Sequence, residues 1–138
     1  MKKIVITGGL GYIGTELCKI YSGHSWNDKI TVIDNRFISE RVNQIRNWNM
    51  DFVQGDILDK ELIKKHCSDA DIIHHLAGIT DVPRVKSQSN ADNDKKIIEV
   101  AQEGTQNSLD VMKDDCTIVM PSTHEGITIL QSSFITSR

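Results

Sequence analysis

The run Ile4-Val5-Ile6-Thr7-Gly8-Gly9-Leu10-Gly11-Tyr12-Ile13-Gly14 passes from continuous apolar residues into a cluster of glycines. Such an apolar run, ended by glycines, suits a strand buried on both faces, as in a parallel sheet. Beyond the glycines, Ile13, Leu17, Ile20 and Tyr21 recur at helical spacing, with Glu16 and Lys19 on the other side and Gly23 as a stop. A strand that turns through glycines straight into a helix leaves backbone N–H groups and the positive helix end facing whatever lies above. The glycines satisfy Gly-x-Gly-x-x-Gly from Gly9 and Gly-x-x-Gly-x-x-Gly from Gly8, two versions of a dinucleotide-binding fingerprint. In that arrangement the first glycines allow unusual φ values, a side chain at Gly11 would collide with a pyrophosphate, and Gly14 lets the helix close on the strand.

Working outward, Ile30-Thr31-Val32-Ile33 predicts a second strand, closed by Asp34-Asn35. Asp34 stands twenty residues beyond Gly14, near the separation the fingerprint expects. Its carboxylate can accept bonds from both adenosine ribose hydroxyls and would repel a 2′-phosphate. NAD is therefore favoured over NADP, although Arg36 places a guanidinium where a 2′-phosphate could be held. Phe52-Val53 predicts a third strand before Gly55-Asp56, and Asp59 caps a helix running through Leu62 and Ile63 to Cys67. Asp71–Leu76 predicts a fourth strand ended by Ala77-Gly78. A polar loop passes through Pro83, then a helix carries Ile97, Ala101, Leu109 and Met112. Thr117-Ile118-Val119-Met120 predicts a fifth strand stopped by Pro121. Strands alternating with helices demand crossover connections, and so an α/β, doubly wound parallel sheet of five strands in order 3-2-1-4-5. Residues 1–124 form this domain in the reading. Residues 125–138 are a tail, either an edge strand carrying Ile127 and Ile129 or a poorly ordered end.

Composition is compatible with this reading. The chain has 138 residues, 38% hydrophobic and 25% charged, with a formal net charge of -3. That balance disfavours a nucleic-acid surface. No apolar stretch approaches the ~20 residues of a membrane span, and no signal peptide opens the chain, so the expected compartment is the cytoplasm. Cys18, Cys67 and Cys116 show neither zinc-ligand nor disulfide-framework spacing and read as reduced, buried thiols. His74-His75 lie on a strand, where adjacent side chains diverge, so no metal site is expected. A sheet ending at the fifth strand would leave an open edge, which predicts self-association or contact with further chain.

Four stretches resemble the extended short-chain dehydrogenase/reductases, the NAD-dependent epimerase/dehydratase family. Thr7–Gly14 is similar to the family's glycine loop and Val32-Ile33-Asp34-Asn35 to its ribose-binding strand end. Gly55-Asp56-Ile57 resembles the element that meets the adenine. His75-Leu76-Ala77-Gly78 resembles the motif that borders the cofactor. Gly104-Thr105-Gln106-Asn107 is similar to the family's Gly-Thr-x-Asn helix segment. The resemblance implies an NAD-dependent oxidoreductase acting on a small molecule, commonly a nucleotide sugar. It implies cofactor contacts from Gly8, Gly11, Tyr12, Ile13, Gly14, Asp34, Asn35, Arg36, Asp56, Ile57, Leu76, Ala77 and Gly78. By position in Pro121-Ser122-Thr123, it implies that Thr123 hydrogen-bonds the substrate oxygen that changes oxidation state.

Two features depart from the family pattern. Its proton-transfer pair is Tyr-x-x-x-Lys, whose lysine makes the phenol an acid–base near neutral pH. This chain has Tyr12 and Tyr21 only, and neither has a lysine four residues on. Thr123 is also followed at once by His124-Glu125-Gly126, a few residues sooner than the family's aromatic-glycine step. The expectation is an amino-terminal portion of an epimerase or dehydratase, or a chain lacking intervening residues. The alternative is a non-catalytic NAD sensor or regulatory module on the same fold.

Overall fold

β1 (Lys3–Thr7) pairs in parallel with β2 (Lys29–Asp34) on one side and β4 (Ile72–His75) on the other. β3 (Asp51–Gln54) extends the sheet beyond β2, and β5 (Thr117–Ser122) extends it beyond β4. The five parallel strands stand in order 3-2-1-4-5, as the alternation of elements predicts. The computed structural model describes residues 2–24, 28–77, 102–122 and 126–131.

The sheet is buried on both faces because each central strand is apolar at successive positions. Ile4, Ile6, Ile30 and Val32 point to one side. There they meet Cys18 of α1 (Tyr12–His24) and Val42 and Ile45 of α2 (Ser39–Asn47). Val5, Ile33, Ile73 and Ile118 point to the other side. They meet Ile63 and Cys67 of α3 (Lys60–Cys67), with Leu109 of a helix over 102–111 packed against them. Asp59 caps α3 as expected, its carboxylate accepting the Leu62 N–H at 3.2 Å. The three cysteines are buried and free, and burial pushes the Cys18 and Cys67 thiols up to about 12.

Several sequence expectations need correction. The buried face of α1 is Gly14, Leu17, Cys18 and Tyr21, while Ile13 is 54% and Ile20 58% exposed. Gly14 lies against the turn, where an added Cβ would stand 2.5 Å from the Gly9 Cα, and Cys18 packs in the cluster with Ile4 and Ile6. Gly23 lies inside α1 rather than ending it. α2 was not signalled by apolar spacing: of its nine residues only Val42 and Ile45 are buried. Asn49 follows it with φ 62, a left-handed turn that asparagine tolerates, before β3 begins. Pro121 does not stop β5. The pairing with β4 ends at Val119, so no ladder bond to β4 is lost at the proline. Across the other edge, β6 (Gly126–Gln131) runs antiparallel, from Ser122↔Gly126 to Thr117↔Gln131. The expected open edge at β5 is therefore covered by the chain's own sixth strand. No helix among the described residues is long and apolar enough to cross a membrane.

His74 and His75 diverge across the sheet. His74 Nε2 lies 2.6 Å from the Tyr21 hydroxyl, and His75 Nδ1 lies 2.9 Å from Thr7 Oγ1. Among the described residues no cluster suited to a metal ion occurs. His75 is 3% exposed, and burial pushes its imidazole down from 6.5 to about 4. Between those values the unfolded chain binds a proton that the fold does not. Stability is therefore full above about 6.5 and declines as pH falls toward about 4. The shift corresponds to roughly 3 kcal/mol. Burial also lowers His74 and His66, which act in the same sense. Urea midpoints should fall steadily between neutral pH and about pH 4.5, and His75→Gln should flatten much of that slope.

Candidate functional site

The carboxyl ends of β1, β2 and β4 converge on the turn between β1 and α1. Gly8 opens the turn in the left-handed region, φ 71, and its N–H donates to the Ile33 carbonyl at 2.7 Å. A Cβ at Gly8 would stand 2.7 Å from the Ala77 nitrogen, and one at Gly14 would stand 2.5 Å from the Gly9 Cα. A Cβ at Gly9 would overlap the Val32 side chain. These three glycines are required by the protein's own packing. Gly11 differs: a Cβ there would meet nothing closer than the Gly8 carbonyl oxygen at 3.4 Å and Arg36 Nη2 at 3.6 Å, both ordinary contacts.

Helix α1 starts at Tyr12 with no acidic residue in its first turn. Its first N–H groups lack intrahelical acceptors, and no carboxylate of that turn offsets its positive end. Tyr12 is 79% exposed. Arg41, from α2, hydrogen-bonds the Leu10 carbonyl through Nη1 and lies 5.7 Å from the centroid of the Tyr12 ring. The loop is thus clasped from above by a residue that sequence reasoning missed. The signal for it would have been a basic residue near the start of α2, but that helix itself was not legible.

Asp34 ends β2 and is 5% exposed. Its Oδ2 accepts the Leu10 N–H at 3.0 Å, tying the end of β2 to the glycine loop. Arg36 folds back on the same carboxylate. Its backbone N–H and Nε reach Oδ1 at 3.0 and 3.1 Å, and Nη2 reaches Oδ2 at 3.2 Å. Asn35 is exposed, and its carbonyl accepts from Gln54 Nε2 at 3.3 Å. The Asp34 carbonyl accepts the Gly55 N–H at 2.9 Å, which places Asp56 and Ile57 beside it.

Asp56 is exposed, and its carboxylate accepts the Leu58 N–H at 2.9 Å within its own turn. The Ile57 side chain is in the core against Gly104, where an added Cβ would overlap it. The Ile57 carbonyl accepts from Asn107 Nδ2 at 2.9 Å. Gly104 and Asn107, two members of the Gly-Thr-x-Asn segment, therefore brace the turn after β3. At the end of β4, the Leu76 N–H donates to the Thr7 carbonyl at 3.0 Å and the Ala77 N–H to Thr7 Oγ1 at 3.3 Å. Gly8, Gly11, Tyr12, Ile13, Gly14, Asp34, Asn35, Arg36, Asp56, Ile57, Leu76 and Ala77 thus occupy adjoining strand ends and turns. Gly78 and Thr123 lie outside the described residues. Chemically, the site pairs backbone N–H donors at a helix start, suited to an anion, with one carboxylate suited to hydroxyl groups.

Residues 5–128 match the 3-beta hydroxysteroid dehydrogenase/isomerase family. The chain is 35% identical over 95 residues to a dTDP-D-glucose 4,6-dehydratase of Dictyostelium discoideum, covering 64% of this chain and 22% of that protein. Among solved structures it is similar to a UDP-glucose-4-epimerase from Stenotrophomonas maltophila with bound NAD and formylated UDP-arabinopyranose. The TM-score is 0.67 at 21% identity, over 90% of this chain and 38% of that one. It is also similar to an L-threonine dehydrogenase from Clostridium difficile, with TM-score 0.67 at 28% identity, over 88% of this chain and 36% of that one. The chain spans well under half the length of each.

The glycines separate by what they touch, and substitution should separate them too. Gly8→Ala and Gly14→Ala, which press a methyl against backbone, should each cost about 2 kcal/mol or more. Gly11→Ala should stay within about 0.5 kcal/mol of the parent. Urea unfolding of the three variants checks this.

Proposed function

The chain belongs to the 3-beta hydroxysteroid dehydrogenase/isomerase family. From that premise we propose that it forms the NAD-binding portion of an epimerase/dehydratase-type oxidoreductase acting on a nucleotide sugar. One observation carries the reading: the buried carboxylate of Asp34 is bonded to the glycine loop through the Leu10 N–H. A hydroxyl acceptor and a set of backbone donors suited to phosphate then stand side by side, the two kinds of group a nucleotide's ribose and pyrophosphate call for. The cradle fits such a group in that the packing does not itself demand a glycine at Gly11, where an added Cβ would make only ordinary contacts.

In this reading Gly8, Gly11 and the N–H groups of Tyr12, Ile13 and Gly14 hold the pyrophosphate. Asp34 takes the adenosine ribose, with Asn35 and Arg36 beside it. Asp56 and Ile57 border the adenine, Ile57 through its backbone since its side chain is in the core. Leu76, Ala77 and Gly78 flank the nicotinamide half. NAD, when bound, supplies an acceptor for the hydride of a substrate carbinol. Thr123 orients the substrate oxygen by hydrogen bonding. The nucleotide-sugar assignment draws support from the dehydratase and epimerase relatives.

A second reading is a non-catalytic NAD-binding module on the same fold. Tyr12 lies on the glycine loop, and Tyr21 is half-buried against His74. Neither has a lysine partner four residues on. Self-association, expected from an open edge at β5, loses that ground because β6 pairs there; sedimentation reads the state directly.

Calorimetric titration with NAD should show saturable binding, and Gly11→Val should abolish it while leaving the circular dichroism of the fold unchanged. No heat with NAD or NADP would overturn the assignment. Conversion of UDP-glucose or dTDP-glucose in the presence of NAD would favour the enzyme, and binding without turnover the module.

A further inference from the structure

The amino ends of β1 and β2, opposite the glycine loop, carry like charges side by side. Lys3 and Lys29 are register partners on these neighbouring parallel strands. Side chains alternate along a strand, so Lys3 shares a face with Val5, and Lys29 with Thr31 and Ile33. Val5 and Ile33 pack with Ile63 and Cys67 of α3. Two lysines therefore stand opposite each other on the α3 face, a pairing that costs stability. His66 of α3 joins them. Burial first, then Lys65, Lys3 and Lys29, hold its imidazole below the usual range, with Asp69 acting the other way.

The protein's own acids offset this charge only in part. Asp69 pairs with Lys3. Among the described residues, no acid forms an ion pair with Lys29 or Arg46. Lys3, Lys29, Arg46 and His66 line one hollow of about 360 Å³, together with Thr31 and a single acid, Asp51. Thr31 is 3% exposed, and none of the hydrogen bonds among the described residues uses its hydroxyl. The whole chain has a formal net charge of -3, so this local excess of positive charge runs against its average.

We propose that this hollow is an anion site, which takes a small phosphate-type oxyanion between Lys3, Lys29 and His66, with Arg46 on the wall from α2. Such an ion supplies to Lys29 and His66 the negative charge that Asp69 gives to Lys3. Ammonium groups are compact point charges with rotatable donors, and a phosphate has acceptor oxygens for several of them at once. A bound anion favours the protonated imidazole, so binding and protonation of His66 reinforce each other. Asp51 does not reverse the sign, since it is one carboxylate against three cations that stay charged near neutral pH. Free phosphate and a phosphate monoester share this chemistry. The site is separate from the glycine loop and does not rest on the NAD reading.

Residue-resolved NMR of the whole chain tests this, with inorganic phosphate or glycerol 3-phosphate titrated against chloride at constant ionic strength. Saturable shifts of the Lys29, Thr31 and Asp51 amides are expected, with the His66 pKa rising as the anion binds. Tighter binding of the monoester would point to a phosphorylated metabolite as the occupant, and tighter binding of inorganic phosphate to the free ion. Lys29→Gln and Arg46→Gln change exposed side chains and should each weaken binding by about two- to fivefold. Lys64→Gln, on an exposed position of α3 outside the hollow, should leave it unchanged. Shifts that chloride reproduces, shifts confined to the glycine loop, or an affinity unmoved by Lys29→Gln and Arg46→Gln would each overturn the proposal and leave these residues as solvated surface charges.

Discussion

The bond from the Leu10 N–H to the Asp34 carboxylate joins two parts of the chain that sequence keeps 24 residues apart. Without it, the glycine loop is a turn and Asp34 is an acid at the end of a strand. With it, the loop has a fixed height over the sheet, and the acid has a reason to be buried. The remaining contacts converge on the same place. Gly8 reaches β2 through the Ile33 carbonyl, Thr7 reaches the end of β4 through Ala77, and Arg41 holds the Leu10 carbonyl from α2.

Burying a carboxylate is costly unless its oxygens are paired. Two backbone donors and one guanidinium meet that requirement at Asp34. The arrangement accounts for the presence of Arg36 two residues beyond the acid, where its own N–H and its side chain reach the same oxygen. It also explains why the strand end tolerates an ionisable group at 5% exposure. The site's anion-accepting side is assembled differently, from backbone groups that need no side chain at all.

Most of the fold was legible because its signals are local. Ile4-Val5-Ile6 and Ile30–Ile33 are apolar runs closed by turn residues, and Asp59 is a capping residue just before a helix. What escaped depended on distant partners. α2 buries only Val42 and Ile45, so its periodicity is faint, and Arg41 was hidden with it. For 126–131 the edge strand was one of two readings, and pairing with β5, which is not local, is what decides for it. The orientation of α1 was misread because Ile13 and Ile20 outweigh Gly14 and Cys18 in hydrophobicity, whereas the close approach of α1 to the Gly8-Gly9 turn requires Gly14 there. At the site, the residues were named from pattern. The covering of Asp34 by Arg36 was visible only in three dimensions.

The continuous burial of the central strands has one more consequence. In a half-buried sheet, sliding a strand by one residue would turn its apolar side to water, and that penalty fixes the alignment. Here Ile4, Val5 and Ile6 are all buried, so a slip exchanges one greasy surface for another. Hydrophobicity alone barely opposes it. Alignment must be enforced by groups that cannot be exchanged: the Thr7 hydroxyl against Ala77 and His75, Gly8 under Ile33, and Asp34 beneath Leu10. The atoms that furnish the crevice are therefore also the ones that keep neighbouring strands in step. Evolution could not blunt the crevice at these positions without loosening the sheet beneath it.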